Sequence, residues 1–401
     1  MPIRSLQALC LVNFFLADVR DGLGPFLGIF LTEHHWKADD IGFVMTAGGL
    51  AGLAATLPAG MLTDATSRKR LWLFSGCMMI TGATLLLWFY PQTITTTLSQ
   101  IVTGISAACI APVVAGITLG LTGRSGFNRQ MGKNEAFNHA GNLSAAVIAG
   151  VATWYWGTGS VFVLMTCMAL LTAFSVLLVR HDDIDNHAAR GLDSAAPSAP
   201  ILPLGALRRN TALVVVGITL LLFHLANAAL LPLLSMRAAA LAPLQGIPPG
   251  VYAAATVVIS QCVMIPVALL TASNAGKFGY RRLIMLALMV LPLRAVLASG
   301  SAAPLILLPV QVLDGVAAGI LGVAIPGYIV QLLSGSGHTN AGQAFVMLLQ
   351  GVGAAFSPAL AGVIATHYGW SRAFMVMGAI ALAALVLWWC ASKKQVPASS
   401  G

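Results

Sequence analysis

The chain has 401 residues, of which 58% are hydrophobic and only 8% are Asp, Glu, Lys or Arg, against roughly 25% charged in an ordinary soluble domain. With a mean hydropathy of +0.87 it lacks the charged surface that keeps a soluble protein dispersed, so a soluble globular fold is excluded and an integral membrane protein is implied. The formal charge of +9 therefore speaks first of topology in a lipid bilayer, and no nucleic-acid partner is indicated.

In chain order, Met1 to Ser5 carries one basic residue, and no small-residue cleavage site follows the apolar stretch after it. That predicts a first span rather than a removed signal peptide. Apolar stretches of spanning length lie at 5–31, 41–63, 71–90, 94–122, 134–156, 160–179, 211–236, 249–272, 281–299, 303–332, 341–366 and 371–391. All twelve are expected to be helices, because only helices and closed barrels satisfy backbone groups in lipid and no alternating strand pattern occurs. The segment 181–210 holds His-Asp-Asp-Ile-Asp and Ser-Ala-Ala-Pro-Ser-Ala-Pro and reads as a polar linker. The domains expected are a six-helix bundle at 1–180, a cytoplasmic linker at 181–210, a second bundle at 211–392 and a cytoplasmic tail at 393–401.

Starting the chain inside and alternating sides puts sixteen of the 21 Lys and Arg residues on the cytoplasmic face and only Lys37, Arg237 and Arg372 outside, with Arg20 and Arg294 within spans. This is the positive-inside bias of a correctly oriented chain, and it predicts that both termini are cytoplasmic. Interfacial aromatic residues support the same boundaries, with Trp36, Trp88, Tyr90, Trp154, Tyr155, Trp156, Tyr368 and Trp370 at outer ends and Trp72, Tyr280, Trp388 and Trp389 at inner ones. The six cysteines all fall in apolar segments without a CxxC or Cys/His cluster, so they read as packing residues, with neither a disulfide framework nor a metal site.

The halves repeat each other. Gln100-Ile-Val-Thr-Gly104-Ile-Ser-Ala-Ala108 aligns with Gln311-Val-Leu-Asp-Gly315-Val-Ala-Ala-Gly319, while Ala149-Gly150-Val151, Gly157 and Phe162 align with Ala361-Gly362-Val363, Gly369 and Phe374. Repeated six-helix halves are the mark of carriers that rock two bundles about a central site. The segment Gly60-Met-Leu62-Thr-Asp64-Ala-Thr-Ser-Arg68-Lys69-Arg70-Leu71 then resembles the signature loop of the major facilitator superfamily, Gly-x-Leu-x-Asp followed by a basic cluster. Ala65 and Ser67 depart from the usual pattern. The second-half counterpart, Gly276 to Leu283, keeps glycine and basic residues but lacks the acid.

This resemblance implies the superfamily's fold of two pseudo-symmetric six-helix bundles, a secondary transporter without cofactor that is not an enzyme, a monomer, and a gating latch at Gly60, Asp64 and Arg68. A carboxylate such as Asp64 accepts hydrogen bonds at a neighbouring helix N-terminus; Lys69 and Arg70 read as topology anchors. Two signatures of proton-driven exporters in the superfamily are missing, since Gln100 stands where an Arg precedes Gly104 and span five lacks the Pro-containing glycine motif. Nucleotide-binding and hydrolase motifs are absent as well.

Candidate site residues follow from polar groups inside spans. Asp18, Arg20 and Asp21 lie halfway along span one, where each would cost about 2.5 to 3.5 kcal/mol facing lipid, so they must face a cavity or each other. Asp18 and Asp21 share a helix side and Arg20 sits roughly 200° round from Asp18, which leaves a carboxylate for a proton or cation. Glu135, Asn138, His139 and Asn142 fall on one face of span five, with Glu135 and His139 as proton-relay candidates and the asparagines as cavity lining. Aligning Pro25 with Pro232, His224 and Asn227 in span seven, with Gln261, Gln311 and Gln350, offer neutral hydrogen bonding to a solute. Arg294 and Asp314 read as an interhelical ion pair, with Arg294 snorkelling towards the outer surface. The function expected is secondary active transport of a small organic solute by alternating access across a plasma membrane of the bacterial inner-membrane kind, as proton-coupled efflux. The alternatives are proton-coupled uptake, or a non-transporting membrane sensor or lipid scramblase on the same scaffold.

Overall fold

The computed structural model describes residues 3–20, 23–186, 188–190, 210–301, 303–333 and 339–392. Asp21, most of the expected linker and the expected tail lie outside them. Among the described residues every long element is an α-helix: α1 (Ile3–Arg20), α2 (Pro25–Glu33), α3 (Ala38–Ala65), α4 (Lys69–Phe89), α5 (Thr93–Trp156), α6 (Ser160–Leu178), α7 (Thr211–Asn227), α8 (Leu230–Gln245), α9 (Pro249–Phe278), α10 (Tyr280–Gly300), α11 (Leu307–Leu332), α12 (Thr339–Tyr368) and α13 (Trp370–Ser392). Ten spans among the described residues are long and apolar enough to cross a membrane. The first span, formed by α1 and α2, and the polar second part of α5 make twelve.

Three elements differ from the sequence expectation. Span one is two helices, because Gly24 takes a positive φ of 49° and Pro25 opens α2; a proline suits the first position of a helix, where its missing N–H leaves no bond unmade. Span seven is likewise divided between Asn227 and Leu230. There Pro232 lacks the N–H that would bond the carbonyl four residues back, and the N–H of Ala229 goes instead to Ser357 Oγ at 2.9 Å. Spans four and five follow one another directly: α5, from Thr93 to Trp156, consists of two helices that meet at a kink at Gly123, whose φ of 59° and ψ of −177° leave the helical region. The basic stretch expected as a loop at 123–133 is thus mostly an extra helical extension of span five.

The chain forms two compact units. Unit 1 comprises 1–35, 47–197 and 247–255, and unit 2 comprises 36–46, 198–246 and 256–401. In unit 1, α1 and α4 each pack on α5 and α6. The buried residues Leu9, Val12, Leu16 and Val19, then Leu73, Cys77 and Ile80, then Ile110, Val113, Ile117 and Leu121 recur at three and four, as one face of each helix requires. The expected linker does not start as a free chain, because Ile184, Ala188 and Ala189 are buried and the N–H of Asp185 bonds the carbonyl of Gly120 at 3.0 Å. Ser5 Oγ donates to Asp183 Oδ2 at 2.5 Å. In unit 2, α7 packs on α12 and α13, and α10 packs on α11 and α13. Trp388, expected at a membrane interface, is fully buried in this core, with its indole N–H on the carbonyl of Arg281 at 3.3 Å. Of the six cysteines, Cys10 and Cys77 are buried as packing residues, whereas Cys167, Cys262 and Cys390 are exposed on helix surfaces.

Burial of apolar surface does not drive helix association in lipid, so close backbone contact at small residues carries the packing. The internal repeat is visible at these contacts. A side chain on Gly141 would strike the carbonyl of Phe14, and one on Gly353, its repeat partner, would strike the carbonyl of Leu221. Phe14 and Leu221 correspond under the Pro25 to Pro232 alignment. Gly104 in the same way meets the backbone of Gly48, and Gly315 meets that of Ser260. Both repeats also end a long helix on a glycine of positive φ, Gly157 at 75° and Gly369 at 87°, a conformation that costs other residues about 1 kcal/mol or more.

Gly141→Ala and Gly353→Ala are each expected to destabilise the protein by about 1 to 3 kcal/mol, the usual cost of overpacking. Gly82→Ala, on α4 with nothing within 4 Å of the added carbon, serves as the control. Thermal unfolding in detergent checks this, and equal melting temperatures for all three variants would refute it.

Candidate functional site

In unit 2 a cavity of about 380 Å³ lies between α7, α11 and α12. Its walls are mostly apolar, with Phe223, Leu321, Ile325, Pro326, Ile329, Val346 and Met347, and its polar groups are His224, Asn227, Gln343 and Gln350. The helical spacing explains the convergence. His224 and Asn227 sit three apart at the end of α7, where Pro232 breaks the span, and Gln343 and Gln350 sit seven apart on one face of α12. Cavities of this size, apolar with a few directed polar groups, suit small organic ligands. Three residues expected to meet a solute, His224, Asn227 and Gln350, are therefore together. Gln261 and Gln311 are not among the cavity's lining, and Gln311 is wholly buried. Gln343 was missed, although its position two helical turns before Gln350 was the available signal.

Behind the cavity stands a buried polar network. Arg294 Nη1 lies 2.7 Å from Asp314 Oδ1 and donates to Asn227 Oδ1 at 2.6 Å. Ser260 Oγ donates to Asp314 Oδ2 at 2.6 Å and lies 3.3 Å from Gln311 Oε1. The interhelical pair is formed, but the expected snorkelling is not: Arg294 is 1% exposed. An ion at that depth is tolerable only when paired and hydrogen-bonded; α7 and α11 supply its partners, and Ser260 of α9 holds Asp314 in turn. Arg237, expected at the outer surface, is buried too, donating to the carbonyl of Ala298 at 2.6 Å with its guanidinium 4.8 Å from the Phe374 ring centre.

In unit 1, Asp18 and Arg20 are half-buried at the end of α1, just before the break in span one. On α5, Asn138, His139 and Asn142 are half-buried and Glu135 is exposed. His139 Nδ1 has no hydrogen-bond partner among the described residues. The structure extends this stripe inward: Gln130 Nε2 donates to Asn134 Oδ1 at 3.0 Å, and Asn134 Nδ2 donates to Thr118 Oγ1 at 3.0 Å. Gln130 and Asn134 are 5% and 1% exposed. Their spacing of four before Asn138 was readable, but a loop had been expected over most of that stretch.

At the signature segment, Gly60 has open space around it, Arg68 is exposed, and nothing is described of the Asp64 side chain. Lys69 is 1% exposed and its Nζ donates to the carbonyl of Thr66 at 2.7 Å. Arg70 donates through Nε and Nη2 to the carbonyls of Val176 and Leu177 at 3.2 and 3.1 Å, where a cation offsets the unpaired carbonyls of a helix end. No group of three or more His, Cys, Asp or Glu fit to hold a metal occurs among the described residues.

Repeated helix sets, a broken helix at the start of each, and a solute-sized cavity beside the second break define the class as a polytopic membrane carrier. The Major Facilitator Superfamily model matches residues 9–293 and 275–401, and the chain belongs to that family. It is thus a transporter rather than an enzyme. It is 38% identical over 399 residues to an uncharacterized MFS-type transporter of Mycobacterium tuberculosis, found in strains CDC 1551 and H37Rv, covering 99% of this chain and 95% of that one. Among solved structures it shares the fold of the nucleoside transporter NupG, with a TM-score of 0.78 at 15% identity over 98% of this chain and 100% of that one. A bacterial homologue of the human lysosomal transporter Spinster, in an inward-facing and unoccupied conformation, gives 0.77 at 11% identity, with 98% of both chains covered.

Removing one partner of a buried pair strands the other charge, at about 3 to 5 kcal/mol. Asp314→Leu is therefore expected to lower the melting temperature sharply, and the double variant Asp314→Leu with Arg294→Met to recover most of the loss. Unfolding of the two single variants and the double in detergent checks it; strictly additive losses would contradict a coupled pair.

Proposed function

We propose that the protein exports a small amphiphilic organic solute in exchange for protons by alternating access, working as a monomer in a bacterial inner membrane with both termini in the cytoplasm. The observation that carries this reading is the cavity of unit 2, where apolar walls from α11 and α12 surround the short set His224, Asn227, Gln343 and Gln350. Such a lining binds the body of an apolar molecule and orients one polar end. Coupling is assigned to unit 1, where Asp18 and Arg20 end α1 inside the first span and His139 and Glu135 continue the ionisable set along α5. Asp21 and the latch of Gly60, Asp64 and Arg68 remain parts of the proposal. Intramembrane ionisable groups are costly to keep, which favours a coupling role for Asp18.

Uptake by proton symport is the second reading. Four amide or imidazole groups around one cavity also suit a neutral polar metabolite, and exchange and symport differ only in the relative direction of the two flows.

Purified protein in proteoliposomes with an internal pH dye separates these readings. Export by exchange predicts that an amphiphile added to one side drives protons the opposite way, that Asp18→Asn abolishes this proton movement, and that solute counterflow without a gradient survives in the variant. Protons moving with the solute would establish symport instead. No solute flux from folded protein would favour a sensor, and rapid loss of labelled-lipid asymmetry would favour a scramblase.

A further inference from the structure

The two ends of an asparagine amide differ only in what they bond: the oxygen accepts and the nitrogen donates. Asn227 lines the cavity of unit 2, and on its other side stands Arg294, whose Nη1 is 2.6 Å from Asn227 Oδ1. A guanidinium has five N–H donors and no acceptor, so only the amide oxygen can face it. The rotation of the amide is therefore not free. With its oxygen held by Arg294, the NH₂ group is the end left for the cavity.

The surroundings enforce this polarity. Arg294 is 1% exposed, and its Nε and Nη2, like Nε2 of the wholly buried Gln311, have no acceptor among the described residues. The network is rich in donors and short of acceptors, so turning the amide over would remove one of the few acceptors and set donor against donor. Asp314 Oδ1 holds the same Nη1 of the guanidinium at 2.7 Å, and Asp314 is itself held by Ser260 at 2.6 Å.

We infer that Arg294 and Asp314 are positioning residues for solute selection: they lock Asn227 as a hydrogen-bond donor to the cavity, so the transported solute presents an acceptor there, such as a carbonyl, ether or unprotonated ring nitrogen. The inference rests on the proposal that this cavity holds the solute, and it adds the chemical polarity of one contact. His224, Gln343 and Gln350 can each offer either polarity, whereas Asn227 is fixed from behind. The ion pair acquires a function beyond bracing α10 against α11.

The test uses two fluorescent probes that differ in one acceptor, the aromatic ketone 6-propionyl-2-dimethylaminonaphthalene and 6-propyl-2-dimethylaminonaphthalene, in which a methylene replaces the carbonyl. Binding to the purified full chain is measured for wild type, Asn227→Asp, Arg294→Gln, Arg294→Lys and Met347→Trp. Wild type is expected to prefer the ketone by about three- to tenfold, the worth of one net hydrogen bond. Asn227→Asp keeps an oxygen towards Arg294 but replaces the donor, and should abolish the preference, read as the ratio of the two probe affinities within each variant. Arg294→Gln frees the amide and should reduce the preference, with Arg294→Lys restoring it in part, a pattern that loss of stability alone would not give. Met347→Trp fills the cavity and should weaken both probes together. An undiminished ketone preference in Asn227→Asp, or equal affinity of wild type for both probes, would overturn the donor assignment while leaving the cavity reading intact. Unchanged binding of both probes by Met347→Trp, or no binding of either by wild type, would overturn the cavity reading and this inference with it.

Discussion

A polar group placed in a bilayer must find its partner inside the protein, because lipid offers none. Much of this molecule follows from that constraint. Threonine and serine hydroxyls in the spans return to carbonyls one turn back, as Thr81, Thr84, Thr118 and Thr172 do at 2.7 to 2.9 Å. The break in span seven leaves the N–H of Ala229 to Ser357, and the end of α6 leaves carbonyls to Arg70. The most costly case, the buried guanidinium of Arg294, draws on Asn227 and Asp314 from two other helices.

Helix breaks and cavity belong together physically. Pro25 and Pro232 stand at corresponding places in the repeat; Pro25 opens α2 and Pro232 lies in the first turn of α8. A divided helix exposes backbone groups and turns side chains at its end away from the regular face, which suits a ligand site in membrane carriers. Asp18 and Arg20 precede one break, and His224 and Asn227 precede the other. The repeat is not a copy in chemistry: Arg20 corresponds to Asn227 and Asp18 to the apolar Leu225, although the glycine contacts at Gly141 and Gly353 are the same.

Some features were readable because they depend on local pattern. The helical content and most spans follow from apolar length. The repeat follows from glycines that recur at fixed distance, since a glycine needed for backbone contact leaves no alternative residue. His224, Asn227 and Gln350, which line the cavity, stand out in the sequence because amides and imidazoles are rare in apolar helices. Gln311 stood out for the same reason, yet it faces Ser260 and the ion pair, because rarity shows that a polar residue has a partner but not whether the partner is solute or protein. Trp388 and Arg237 misled in the opposite way. An aromatic or basic residue near a span end normally marks the interface, and here each is buried against a neighbouring helix with its N–H on a backbone carbonyl.

What the sequence determined by itself was class, family and repeat: composition forbids a soluble chain, span length demands helices, and the Gly60 to Leu71 segment carries the family resemblance. Only the tertiary structure decided which polar groups meet. The contact between Asn227 on α7 and Arg294 on α10, the approach of Gln343 and Gln350 to the end of α7, and the docking of Ile184 beside Gly120 join residues far apart in the chain. Their pairing depends on helix rotation and crossing, set by close packing at glycines across several helices at once, and no periodicity within one span contains that information.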